Sequence, residues 1–240
     1  MQNQASVLKA ELFNMISNCD RSKKDEDLFR IKSLVESLEG LQVQPSERDM
    51  TLLMGQWDLL WADDDKSRSS PFFWAFTKAT RDMKDPIGLI GPEKLSESIF
   101  KITDSIPFKS IGKASQMFND NVLKSEVEVD VGLPLAGFIA FASSKMTTSS
   151  KFFIDPNEPD IVEITVEKTQ VLHSTIEKLV PFQLPLLGDS SSFPSGAALE
   201  LLKPGSSTVY MRISYLDEDL RISRNEQDNK VFIFERASTW

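Results

Sequence analysis

The chain has 240 residues, 40% of them hydrophobic and 26% charged, with 27 Lys+Arg against 36 Asp+Glu. That composition is too apolar for a disordered chain, and the length suits one large domain or a helical unit plus one domain. A net charge of −9 with no concentrated basic run argues against nucleic-acid binding and against simple electrostatic attraction to anionic membranes. Cys19 and His173 are the single residues of their types, which excludes an internal disulfide framework and a Cys/His zinc site. The longest apolar stretch, residues 131–142, is broken by Gly132, Pro134 and Gly137 and is too short to span a bilayer as a helix. No N-x-S/T sequon occurs, and acidic residues from Glu11 onward do not suit a transit or signal peptide.

In chain order, Leu8, Leu12, Met15/Ile16 and Cys19 recur at three- and four-residue steps and predict a first amphipathic helix. Ser22 caps a second, with Asp25 and Glu26 in its first turn, Leu28, Ile31, Leu34/Val35 and Leu38 on its apolar stripe and Gly40 as terminator. Residues 1–48 thus read as a helical hairpin packed on a larger unit over 49–240. In Met54-Gly-Gln-Trp-Asp-Leu-Leu-Trp61 the alternation of Trp57, Leu59 and Trp61 predicts a strand carrying all three on one face. Pro71 then opens a short aromatic helix, and a second helix is expected over 93–103, so that 71–104 forms a helical insertion.

Strands follow at 111–118, 122–131, 145–154, 161–172, 198–202, 208–214, 220–224 and 230–236. An Asn119-Asp-Asn turn joins the first two, and a Pro/Ser/Gly loop occupies 181–196. About eight closely spaced strands without βαβ alternation predict an antiparallel sandwich or closed barrel.

Motifs for nucleophilic hydrolysis, nucleotide binding, zinc proteases and EF-hand calcium are absent, so no catalytic residue, metal ligand or cofactor is assigned. His173 reads as a half-buried strand residue. Asp217-Glu-Asp219 reads as a solvated turn, with a carboxylate pair or weak cation site as the sharper alternative, and 63–65 as a solvated loop. Phe72, Phe73, Trp74 and Phe76 crowd four aromatics into five positions, which fits a buried helix, a lid over a barrel mouth or an insertion into a lipid interface.

Gly55-x-Trp57 at the start of the first strand resembles the Gly-x-Trp signature of lipocalin-type barrels, in which the Trp plugs the closed end. Ile213-Ser-Tyr-Leu-Asp-Glu-Asp-Leu-Arg-Ile-Ser-Arg224, followed by a polar turn and Val231-Phe-Ile-Phe-Glu-Arg236, resembles the terminal signature of the plastid lipid-associated protein (PAP)/fibrillin family. Leu53-Met-Gly-Gln-Trp-Asp-Leu-Leu-Trp61, Phe100-Lys-Ile-Thr-Asp104 and Gly112-Lys-Ala-Ser-Gln-Met117 are similar to that family too. Trp61 replaces its usual Tyr and Asn225 its usual Gly.

The resemblance implies a lipocalin-like antiparallel β-barrel behind N-terminal helices, in a plastid protein whose transit peptide is absent from this chain. It further implies association with thylakoids or plastoglobules and non-catalytic binding of prenylquinones, carotenoids or fatty acids. A structural or membrane-docking subunit of a thylakoid assembly is the alternative. Trp57, Trp61, Phe118, Phe152 and Phe234 are the residues expected at the core or cavity. Gly55, Asp217, Asp219, Arg221 and Arg224 match the signature, and a structural bend is expected of them: Asp side chains bonding local amides, with an arginine pairing back.

Overall fold

The computed structural model describes residues 2–18, 25–63, 65–83, 109–133, 139–172 and 192–237. Cys19, the Ser22 cap, Asp64, the helix expected over 93–103, His173 and most of the loop expected over 181–196 lie outside the described residues.

Two helices lead the chain, α1 (Gln2–Asn18) and α2 (Asp25–Leu41). Asp25, Glu26 and Asp27 occupy the first turn of α2, where the helix dipole favours carboxylates. Gly40, expected to end α2, stays inside it; the helix runs one residue further. The apolar stripes of the pair bury Leu12, Ile31, Leu34, Val35 and Leu38.

Nine strands follow: β1 (Gly55–Ala62), β2 (Lys109–Asn119), β3 (Val122–Leu133), β4 (Ile139–Ile154), β5 (Ile161–Leu172), β6 (Ser192–Phe193), β7 (Thr208–Leu216), β8 (Leu220–Asn225) and β9 (Val231–Arg236). Helix α3 (Pro71–Thr80) lies between β1 and β2, and α4 (Ser195–Leu202) between β6 and β7. The sheet is antiparallel throughout, in the order β4-β3-β2-β1-β9-β8-β7-β5-β6. A further pairing of β4 with β5 closes it, so eight strands form a ring and β6 extends the edge of β5. The closed sheet of about eight strands expected from the sequence is therefore present. The β2–β3 turn explains its Asn-Asp-Asn sequence: Asp120 and Asn121 both take positive φ (45° and 64°), as a tight hairpin requires.

The ring has an apolar inside and, where the helices cover it, an apolar outside. Trp57, Leu59, Phe118, Phe152, Ile164, Met211, Phe232 and Phe234 belong to the inner core. The helical stripe packs on the outer faces of Trp61, Leu220, Ile222, Val231 and Ile233. Strand β1 serves both sides because its register with β9 shifts between Leu59 and Trp61. A bulge turns the following side chains to the other face, which corrects the expectation that Trp57, Leu59 and Trp61 share one.

The strand expected over 198–202 is also corrected: these residues lie in α4. Ala and Leu favour helix, and a short apolar run carries no period to separate helix from strand. The helix sits directly on β5. A Cβ on Gly196 would fall 2.1 Å from the Val166 carbonyl oxygen, so only glycine permits the approach.

Leu38 is fully buried between helix and ring, whereas Phe29, on the same helix, is 76% exposed. Leu38→Ala should cost about 2–4 kcal/mol through lost burial and the cavity left behind. Phe29→Ala should stay within about 0.5 kcal/mol. Urea unfolding of both variants measures the difference.

Candidate functional site

One end of the ring is organised around Trp57. The short 3-10 turn Met50–Leu53 precedes β1, and the indole Nε1 of Trp57 donates to the Leu53 carbonyl at 2.9 Å. Gly55 takes φ 108°, a conformation that side chains oppose, and a Cβ there would lie 3.1 Å from the Arg236 guanidinium. That guanidinium sits 4.2 Å from the Trp57 ring centroid and donates to the carbonyls of Met54, Leu52 and Glu218. The first and last strands of the ring are thereby locked together at this end. Arg236 was not among the residues singled out by sequence; no local pattern distinguishes it from other strand-end arginines.

Deeper inside, Trp57, Phe118, Phe152 and Phe234 come together, all buried. Phe118 and Phe152 meet edge to face at 5.2 Å. Trp61, expected with them, lies instead in the outer core beneath the helices, on the far side of the β1 bulge.

Among these rings sits Arg221, with no solvent exposure. Its Cζ is 3.9 Å from the Phe234 centroid, 5.0 Å from Phe118 and 5.4 Å from Trp57. Nη2 donates to Gln116 Oε1 at 2.6 Å, and Gln116 Nε2 in turn donates to the Ser69 carbonyl at 3.0 Å. Nε and Nη1 have no hydrogen-bond partner among the described residues. Burial, with repulsion from Arg236, pushes the guanidinium well below its ordinary pKa. Alternation along β8 puts Arg221 and Ser223 inside while Leu220 and Ile222 enter the outer core.

The aromatic helix covers the interior further along. Trp74 lies 5.4 Å from Phe232, and Phe72 and Phe76 pack against the same inner core. Phe73 is half-buried beside Phe72, with ring centroids 5.4 Å apart. Ser70, just before α3, donates to Thr148, and Thr148, Thr169 and Ser195 continue a chain of hydroxyls between β4, β5 and α4.

The acidic bend has a different occupation. Asp217 Oδ1 accepts from the amides of Asp219 and Leu220 at 2.9 and 2.8 Å, and Oδ2 from the Tyr215 hydroxyl. Lys9 of α1 pairs with Asp217 at 2.8 Å and reaches Asp219 at 3.3 Å. Burial alone would raise the Asp217 pKa, but Lys9, the two amides and Tyr215 outweigh it and hold the carboxyl below its ordinary value. Arg221 and Arg224 do not pair with this bend. Arg224 instead makes two bonds to Glu39 of α2, at 2.8 and 2.9 Å. With Lys32–Asp63 at 2.9 Å and the Leu216 amide on Gln42, these contacts fasten the helical pair to the ring. No group of three or more metal-ligating side chains occurs among the described residues.

These features define a mainly β protein whose antiparallel sheet closes on itself around an apolar, aromatic interior, with a helical pair clamped outside. The chain belongs to the PAP/fibrillin family: the family model PAP_fibrillin matches residues 94–235. That family is plastid-associated and generally structural or lipid-associated rather than catalytic. No curated protein and no solved structure matches the chain.

Asp217→Asn should destabilise the fold by about 1–3 kcal/mol at pH 7, because it removes a charged acceptor shared by four donors. The folded carboxyl titrates below the unfolded value of about 3.9. Its contribution is therefore present above that value and lost as pH falls through the folded one. The gap between wild type and variant should be constant from pH 7 to about pH 5 and begin to narrow as pH falls below about 3.9, read from urea midpoints.

Proposed function

We propose that the protein binds a hydrophobic small molecule inside the ring, without catalysis, at plastid membranes or plastoglobules. Prenylquinones, carotenoids and fatty acids are the ligand classes in view. One observation carries the reading: Trp57, Phe118, Phe152 and Phe234, from β1, β2, β4 and β9, face one shared apolar interior. A ring of eight strands is just wide enough for side chains or one small ligand. Each methylene of an acyl or isoprenoid tail buried there contributes about 0.8 kcal/mol, before the cost of ordering the tail. The aromatic helix supports the same reading, since Phe72, Trp74 and Phe76 turn to the inner core and cover it.

Phe152 and Phe153 make a matched pair for the test. The first points inside the ring, whereas the second is 58% exposed on its outer face. Titration with a plastoquinone or a C18 fatty acid should change the buried tryptophan emission and saturate. Phe152→Ala should weaken binding about fivefold or more, by loss of apolar contact, and Phe153→Ala should leave it unchanged. Unaltered emission, together with no lipid extracted from the protein purified from plastids, would reduce the ring to a scaffold.

A further inference from the structure

The interior contains a charge that none of the described residues neutralises. Arg221 is wholly buried, no carboxylate pairs with it among the described residues, and arginine stays protonated in proteins. Three aromatic faces and the Gln116 carbonyl compensate part of the desolvation. The donors on Nε and Nη1 remain unspent.

They are not alone. Ser223, two residues along the same inner face of β8, and Ser125, the cross-strand partner of Gln116, also carry buried hydroxyls without a partner among the described residues. The wall around them is largely aromatic, with Phe234, Phe118 and Trp57 against the guanidinium and the small Ala114 two residues from Gln116 on the same face of β2. Two guanidinium nitrogens and two hydroxyls, all able to donate and facing one interior, call for an acceptor-only group with negative charge. A carboxylate has that character, with about four lone-pair sites and a geometry matched to guanidinium. A quinone carbonyl accepts hydrogen bonds but leaves the charge standing, and a carotenoid hydrocarbon does neither.

We infer that Arg221, supported by Gln116, Ser125 and Ser223, is the anion-binding site for the carboxylate of a long-chain acid held head-inward within the ring. The tail runs along Phe232 and Trp74 toward α3. This assignment rests on the ligand-binding reading above and selects one ligand class within it.

The test compares oleic acid with methyl oleate and oleyl alcohol, at pH 8, on the full chain by tryptophan emission and calorimetry. The three share a tail and differ at the head. Wild type should bind the acid at least tenfold more tightly than the ester or alcohol. Arg221→Gln should bring acid affinity down to the level of the ester while ester affinity holds, and Arg221→Lys should keep a preference for the acid. Equal binding of acid and ester by wild type overturns the anion site and leaves lipid binding intact. Binding of none of the three, nor of a plastoquinone, overturns the underlying reading instead. Should Arg221→Gln fail to fold, the wild-type acid-to-ester ratio decides by itself.

Discussion

Closure of the sheet governs everything else in this molecule. An antiparallel sheet that stops leaves two rows of unpaired amides and carbonyls, and pairing β4 with β5 removes both over most of the ring. Once the ring is closed, each strand has a definite inside and outside, and alternation assigns every side chain to one of them. Bulges in β1, in β2, between β4 and β5, and between β7 and β8 then adjust the assignment locally. The result is two cores sharing one wall: an inner one that α3 and α4 cover, and an outer one beneath α1 and α2.

Strands β8 and β9 are the part of that wall used most fully. In β8, residues 220–223 and Asn225 are all buried, and in β9 residues 231–234 are too. Over these residues neither face meets water, so a polar side chain on either face is buried as well. Their polar members are therefore expensive to place and must be answered by specific partners. Arg224 is answered by Glu39 on the outside. Arg221, on the inside, is answered among the described residues by aromatic faces and the Gln116 side-chain amide.

The acidic bend shows how the N-terminal pair becomes part of the same structure. Asp217 organises its own turn through two amides, and its second oxygen receives Tyr215 and Lys9. A carboxylate so occupied is a fastener between the beginning and the end of the chain, with no lone pair arranged for a cation or a proton shuttle. Arg236 performs a comparable service at the Trp57 end, joining β9 to the turn before β1.

Local patterning alone reached the helical pair, the long strand over 161–172 and the hairpin turn at Asp120-Asn121, because each rests on a period or a backbone preference of neighbouring residues. It also reached Trp57, Phe118, Phe152 and Phe234 of the interior, whereas the stretch at 215–224 is legible through its resemblance to a family signature. It did not reach the bulge that sends Trp61 outward, since a single inserted residue leaves the alternation of letters intact. Nor did it reach α4, whose seat on β5 depends on Gly196 meeting Val166. The fates of Lys9, Arg221 and Arg224 lay further still beyond it. Lys9 meets Asp219 across 210 positions, and the two arginines of one motif, three residues apart, end on opposite faces of the wall. Which face is buried, and against what, is a property of ring closure and helix docking, and pairings at that separation leave no trace in a window of neighbouring residues.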